Sequence, residues 1–325
     1  MVGLRSIITI KHDLLDQRWL STALSQFILS DNIFLMRSEI GGVLPLFQAS
    51  RSLAVPSKAC LALHDLRLSW SCLEEFLPRL PMETRMGFAL GECLGAIHQL
   101  GIIEPISDLH IPPEAVKISG LNYRESIEAN KLISRHRAIL LAMQSLLNAG
   151  KNLSDLNIFL GEDKTHFADH LLGLAPNCTT ADFFGDTTDS THSNANLEDI
   201  CKLSHADTSY DLVVYNDVIG LTQSIEDSLG EVRRVLKPGG SFLATFPFAY
   251  GQEQAIMKPI PPAHTSGGQA KATTATLRHQ IPGWSIVKQS RDAGFINVKI
   301  HYIASWKYGV LGAELPGIFL LEAGR

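Results

Sequence analysis

Apolar residues recur at helical spacing from Leu14 to Leu29, where Leu14, Leu15, Trp19, Leu20, Leu24, Phe27 and Ile28 would share a face before Ser30-Asp31 breaks the run. A second helical stretch spans about Glu83 to Leu100, with Gly91 and Gly95 one turn apart and suited to the close approach of another element. Between the two, NIFLMRSEI and GGVLPLFQA read as short strands and turns. Pro105, Pro112 and Pro113, set among Ser107, Asp108 and Gly120, mark a connecting segment at about 104 to 121.

Beyond that segment the pattern alternates. A helix carrying Arg135, His136, Arg137, Ile139, Leu140, Met143 and Leu146-Leu147 ends at Gly150. LNIFLGE is a short apolar run closed by glycine and acid, THFADHLLGLA is helical, NCTTADFF suits a second strand, and YDLVVYNDV is a buried strand. SIEDSLGEVRRVLKPGGSFLATFPF adds a helix with Leu229, Val232, Val235 and Leu236 inward, a Pro-Gly-Gly turn and another apolar strand. WSIVKQSRDAGF gives a helix stopped at Gly294, and NVKIHYIAS and GIFLLEA are two closing strands. Strands alternating with helices predict a parallel sheet, with a domain boundary between 121 and 122.

Composition narrows the partners. The 325 residues, 45% of them hydrophobic, provide for two domains with buried cores. A formal net charge of -5 gives no global attraction to nucleic acid or an anionic membrane, and favours a small, neutral or cationic partner. The five cysteines are scattered and never form a C-x-x-C pair, which points to reduced thiols in a cytoplasmic protein. Lys11, His12 and Asp13 interrupt the first apolar run before a signal-peptide core develops, and no stretch is long and apolar enough to span a bilayer. His166 and His170 lie four apart, but no HExxH glutamate accompanies them, so no metal site is expected.

The string YDLVVYNDVIGLTQSIEDSLGEVRRVLKPGGSFLATFPF resembles the middle of class I S-adenosylmethionine-dependent methyltransferases of the type 11 kind, in which a strand, an acidic turn, a helix and an L-K-P-G-G turn follow in order. IPGWSIVKQSRDAGFINVKIHYIASWKYGVLGA resembles their closing section. NYRESIEANKLISRHRAILLAM is similar to a segment preceding the fold in some members, where R-E-S and paired arginines flank cysteines that this chain lacks. The resemblance implies an α/β, Rossmann-like domain over 122–325, with a mostly parallel seven-stranded sheet and helices on both faces. A smaller mixed domain of unassigned fold over 1–121 would serve as a lid, for dimerisation or for docking a partner subunit. S-adenosylmethionine is the implied cofactor and a small molecule the implied substrate.

In an open parallel sheet ligands lie at the carboxyl ends of the strands, so the turns there carry the candidates. Gly161 would let the backbone pass close to the ligand, and the resemblance places the methionine amine against Glu162. It assigns Asp182 to the ribose hydroxyls and Phe183 to the adenine face, Asp199 to the adenine amino group and Ile200 to apolar contact, with Asn216 and Asp217 at the mouth of the crevice. Two departures mark a divergent member: the G-x-G of the first loop is absent, and Ile219-Gly220-Leu221 stands where many relatives carry an acid and a histidine. His264, in the PIPPAHTSGGQ loop, is the candidate base, and Arg124, Tyr250 and Trp306 are the acceptor-side candidates, while Trp284 is expected in the core.

Each candidate also has a plain structural role. Acids after strands form turns and cap helices, and arginines pair with neighbours such as Glu125 and Glu128. Two functions remain open at this point: methyl transfer to O or N of a small-molecule or saccharide-like acceptor, and a non-catalytic methyltransferase-like scaffold or partner subunit. A nicotinamide dehydrogenase would need G-x-G-x-x-G after the first strand, which is absent.

Overall fold

The computed structural model describes residues 56–148, 150–183, 197–222, 224–258 and 279–325, so the expected helix at 14–29 and the NIFLMRSEI and GGVLPLFQA strands lie outside the described residues. The chain forms two compact units. The described part of the first comprises 56–68, Pro78–Leu141 and Tyr302–Ile318, and the second comprises Ser69–Leu77, Ala142–His301 and Phe319–Arg325.

Five strands precede residue 130: β1 (Leu66–Trp70), β2 (Ile102–Ile103), β3 (His110–Ile111), β4 (Val116–Ile118) and β5 (Ile127–Ala129). The next six are β6 (Ile158–Leu160), β7 (Cys178–Thr180), β8 (Asp182–Phe183), β9 (Leu197–Glu198), β10 (Tyr210–Asn216) and β11 (Leu236–Thr245). The last four are β12 (Ile256–Lys258), β13 (His279–Ile281), β14 (Ile296–Ala304) and β15 (Ile318–Gly324).

A seven-stranded sheet has the order β1-β14-β15-β11-β10-β6-β7. β7, β6, β10 and β11 run parallel to one another and β15 antiparallel to β11, which is the mostly parallel sheet expected. Its central strands are buried on both faces, hence the unbroken apolar runs: Ile158, Phe159, Leu160, Leu212, Val213 and Val214 are all fully buried. On one face Phe159 packs against Tyr210 and Tyr215, and Tyr215 against Phe242.

The helix Ile225–Val235 joins β10 to β11. Ser224 caps it by accepting from the Asp227 amide, Glu226 and Asp227 occupy its first turn, and Arg233 and Arg234 its last. The Lys-Pro-Gly-Gly segment is not a turn before the strand, as its residues suggest, but a bulge within it. Tyr210 pairs with Leu236 and Leu212 with Ser241, so Lys237–Gly240 are extruded opposite Asp211 alone, with Gly239 at φ +78° and Lys237 Nζ 2.7 Å from Asp211 Oδ2. NCTTADFF likewise divides in two: β7 joins the main sheet, while β8 pairs in parallel with β9.

In the first unit the expected helix at 83–100 is two helices, Leu80–Met86 and Leu90–Leu100, joined by a 3-10 turn at Gly87–Ala89. Gly91 faces open space, so close packing does not explain it. The segment at 104–121 contributes two short hairpin partners, β3 against β2 and β4 against β5. After β5 the chain reverses through Asn130-Lys131, both left-handed (φ 50° and 64°), with Ala129 and Leu132 exchanging backbone hydrogen bonds of 2.9 Å. This two-residue turn with both φ positive favours Asn-Gly. Lys131→Gly is therefore expected to stabilise the fold by about 0.5–1 kcal/mol, read as a raised urea midpoint; an unchanged or lowered midpoint would show that the lysine is not strained there.

The turn positions the Leu132 carbonyl for Arg137, which is 1% exposed. Its guanidinium donates to the carbonyls of Leu132 at 2.7 Å and of Ile127 and Gly309 at 2.8 Å each. Burial pulls its pKa down to about 9, against an upward push from Glu104, so it stays protonated at neutral pH. Ala138, Leu141, Ile303, Tyr308, Val310 and Ile318 form the adjoining apolar core. Among the described residues no helix is long and apolar enough to cross a membrane.

Candidate active site

The sequence order β6, β7, β10, β11 against the spatial order β7-β6-β10-β11 means that the chain builds outward from β6 in one direction and returns to build in the other. The topological switch point lies between β6 and β10, and the crevice outside their carboxyl ends is where such a sheet takes its ligand. Val214 pairs with Leu160, so Asn216 on β10 falls opposite Glu162 in the loop after β6.

There the two side chains meet: Asn216 Nδ2 donates to Glu162 Oε2 at 3.1 Å. Glu162 Oε1 accepts from the Thr165 hydroxyl at 2.9 Å. That hydroxyl also accepts the Ala168 amide at 3.0 Å, capping the helix His166–Leu174. On the other side Asn216 Oδ1 accepts from the Thr245 hydroxyl at 2.7 Å. A line of polar groups thus crosses the carboxyl edge from β11 to the loop after β6, in a sheet otherwise apolar at its centre. Asp217, next along, takes φ +63°, with its amide bonded to the Thr245 carbonyl at 2.9 Å.

Gly161 has a reason that the sequence does not reveal. A Cβ there would stand 2.7 Å from the Tyr215 ring, so the glycine makes room for a buried aromatic on the next strand. Burial pushes the Tyr215 phenol well above its ordinary range and the Cys178 thiol up to about 12, which leaves both protonated at neutral pH.

Asp182, at the start of β8, accepts the Asp163 amide on Oδ1 at 2.8 Å, while Thr180 donates to Asp163 Oδ1 at 2.7 Å, tying this acid to the same loop as Glu162. Phe183 follows it and pairs with Glu198. Asp199 Oδ1 accepts the Cys201 amide at 2.9 Å in a tight turn, and Ile200 is buried. Glu162, Asp182, Phe183, Asp199, Ile200, Asn216 and Asp217 all belong to the second unit, and Glu162 and Asn216 are in direct contact.

The acceptor-side candidates fall differently. Tyr250, in the second unit, stacks on Phe319 beside Phe76, and its carbonyl accepts from Trp284 Nε1 at 2.8 Å. Trp284 is in the core as expected. Arg124 and Trp306 belong to the first unit: Arg124 pairs with Glu125, and Trp306 Nε1 donates to the Cys60 carbonyl at 2.8 Å. His264 lies outside the described residues. Among the described residues no group of three or more His, Cys, Asp or Glu is placed to hold a metal ion.

Sequence reasoning missed Thr165, Asp163 and Thr245. Thr165 carried a signal, a threonine just before a helical run. Thr245 was the one hydroxyl in the apolar stretch FLATFPF.

The donor set fits S-adenosylmethionine. Its ammonium, ribose hydroxyls and adenine amino group all donate hydrogen bonds, and Glu162, Asp182 and Asp199 are carboxylates of the kind that accepts such bonds.

Residues 166–244 match the model of a methyltransferase domain family, a span running from the helix after β6 to β11. No curated protein matches the chain in sequence. Solved structures with a similar fold include the 1,6-didemethyltoxoflavin-N1-methyltransferase of Burkholderia thailandensis, bound to 1,6-didemethyltoxoflavin and S-adenosylhomocysteine (11% identity, 59% of this chain and 76% of that one, TM-score 0.37). An S-adenosylmethionine-dependent methyltransferase from Mesorhizobium loti (15% identity, 57% and 98%, TM-score 0.36) and another from Aquifex aeolicus (13% identity, 56% and 88%, TM-score 0.32) are further examples. Over residues 166–244 the chain is thus similar to a methyltransferase domain, which supports an enzyme with S-adenosylmethionine as cofactor.

Proposed function

We propose that this enzyme transfers the methyl group of S-adenosylmethionine to an oxygen or nitrogen of a small-molecule acceptor, a saccharide-like hydroxyl compound among the candidates. The observation that carries the reading is the contact of Glu162 with Asn216 at the switch point, which sets a carboxylate where the cofactor's ammonium would be received. Asp182 would hold the ribose hydroxyls and Asp199 the adenine amino group, with Phe183 and Ile200 supplying apolar contact and Gly161, Asn216 and Asp217 shaping the loops.

The cofactor supplies an activated methyl group, so the protein's task is to hold the nucleophile in line and keep water out. An amine acceptor needs no strong base. A hydroxyl acceptor gains from one, and His264 is the residue we assign to that role, with Tyr250 on the acceptor side.

Incubation with methyl-labelled S-adenosylmethionine and a panel of small amines, phenols and saccharides tests the reading. Label is expected in one acceptor class, with S-adenosylhomocysteine formed in equal amount. For a hydroxyl acceptor, His264→Ala should lower kcat by about 100-fold or more. An unchanged kcat would remove His264 from the mechanism, and label in none of these acceptors would contradict the proposed substrate class.

A further inference from the structure

Thr245 ends β11 with its side chain fully buried, and its register partner across the parallel pair is Asn216. It holds two consecutive residues of β10's end by different atoms. Its carbonyl accepts the Asp217 amide at 2.9 Å, and its hydroxyl donates to Asn216 Oδ1 at 2.7 Å.

The direction of that second bond is fixed by charge. The amide of Asn216 could in principle be turned over, presenting Nδ2 to Thr245 and Oδ1 to Glu162. That arrangement would set a carbonyl oxygen against a carboxylate, so Nδ2 must face Glu162, Oδ1 must face Thr245, and the threonine hydroxyl must be the donor. The same logic holds at the far end. The Thr165 hydroxyl accepts the Ala168 amide, so its proton is free to go to Glu162 Oε1.

We infer that Thr245 is a positioning residue for the cofactor: its hydroxyl sets the Asn216 amide, the amide sets the Glu162 carboxylate, and cofactor affinity depends on a hydroxyl two side chains away from the carboxylate. The inference rests on the reading of Glu162 as the partner of the cofactor's ammonium. Without the hydroxyl, Asn216 Oδ1 is a buried acceptor with no donor at this side, and only the Glu162 carboxylate is left to hold the amide in place.

S-adenosylhomocysteine is the probe, titrated calorimetrically into the full chain. Thr245→Val should weaken its binding about threefold to tenfold, while Thr245→Ser, which keeps the hydroxyl, should bind within about twofold of wild type. Thr245→Ala is a second hydroxyl-free variant should the valine chain not fold. In a Glu162→Gln background the loss from Thr245→Val should shrink, because the group it positions has changed.

A purely structural role for Thr245 would give additive effects in that cycle. Wild-type affinity in the valine and alanine variants, or an equal loss in the serine variant, would overturn the inference. If Glu162→Gln weakens binding and Thr245→Val does not, the inference falls alone. If Glu162→Gln binds as wild type does, the reading of Glu162 falls and takes the inference with it.

Discussion

Glu162→Gln is expected to weaken S-adenosylhomocysteine binding about 10- to 150-fold, the cost of losing one hydrogen-bonded charge in a partly enclosed site, about 1.5–3 kcal/mol. Charge is the first part of the effect, since an amide cannot neutralise the ammonium shared by S-adenosylmethionine and S-adenosylhomocysteine. Geometry is the second. The carboxylate accepts from Asn216 Nδ2 on one oxygen and from Thr165 Oγ1 on the other. The glutamine side chain has only one acceptor, so one of these contacts must become donor against donor or rearrange. The variant should keep the wild-type thermal midpoint to within a few degrees, because the site stands at the sheet's edge and the apolar centre formed by Ile158, Leu160, Leu212 and Val214 is untouched. Calorimetric titration with the midpoint as control checks this, and an unchanged Kd would remove Glu162 from the cofactor site.

Arg137→Met should cost about 2–4 kcal/mol of stability, the loss of its hydrogen bonds to three carbonyls being partly offset because a charge is no longer buried. The carbonyls of Ile127, Leu132 and Gly309 all accept from this one guanidinium; without it Leu132 keeps the Ala129 amide and Gly309 the Ser134 hydroxyl as donors, while the Ile127 carbonyl loses its side-chain donor at a cost of about 1–3 kcal/mol. Gly309 sits at φ +65° with the Arg137 guanidinium 3.1 Å from where its Cβ would be, so no larger residue can fill the space from that side. Arg137→Lys should recover only part of the loss, because an ammonium is a point charge and cannot reach three carbonyls that a planar fork spans. Urea denaturation measures both. A loss below about 1 kcal/mol for the methionine variant would mean that water replaces the guanidinium and the carbonyls are not buried as described.

The sheet was legible because its central strands are buried on both faces: YDLVVYN and IFL could hardly belong elsewhere, and the acids that follow them fall at the carboxyl ends, as parallel topology requires. The helix Ile225–Val235 was legible from the inward spacing of Leu229, Val232 and Val235. The bulge at Lys237–Gly240 was not, since Pro-Gly-Gly carries the same signal whether a turn precedes the strand or is extruded from within it. Gly161 was read as room for a ligand because the neighbour that needs the room, Tyr215, is 54 residues away in sequence and one strand away in space. Thr245 escaped notice for a similar reason: a lone threonine in an apolar strand is ordinary, and only the register that sets it beside Asn216 makes its hydroxyl part of the site. In the sequence Arg137 is simply one of the arginines of the helix ending at Gly150, and the backbone carbonyls on which it is spent come together only in the folded first unit.

The most direct test of the cofactor assignment is calorimetric titration of the full wild-type chain with S-adenosylhomocysteine. The chain is expected to bind one equivalent with a Kd at or below the micromolar range, about 8 kcal/mol. A folded protein that takes up no S-adenosylhomocysteine at millimolar concentration would contradict it, and the polar line from Thr245 to Glu162 would then be structure without a cofactor.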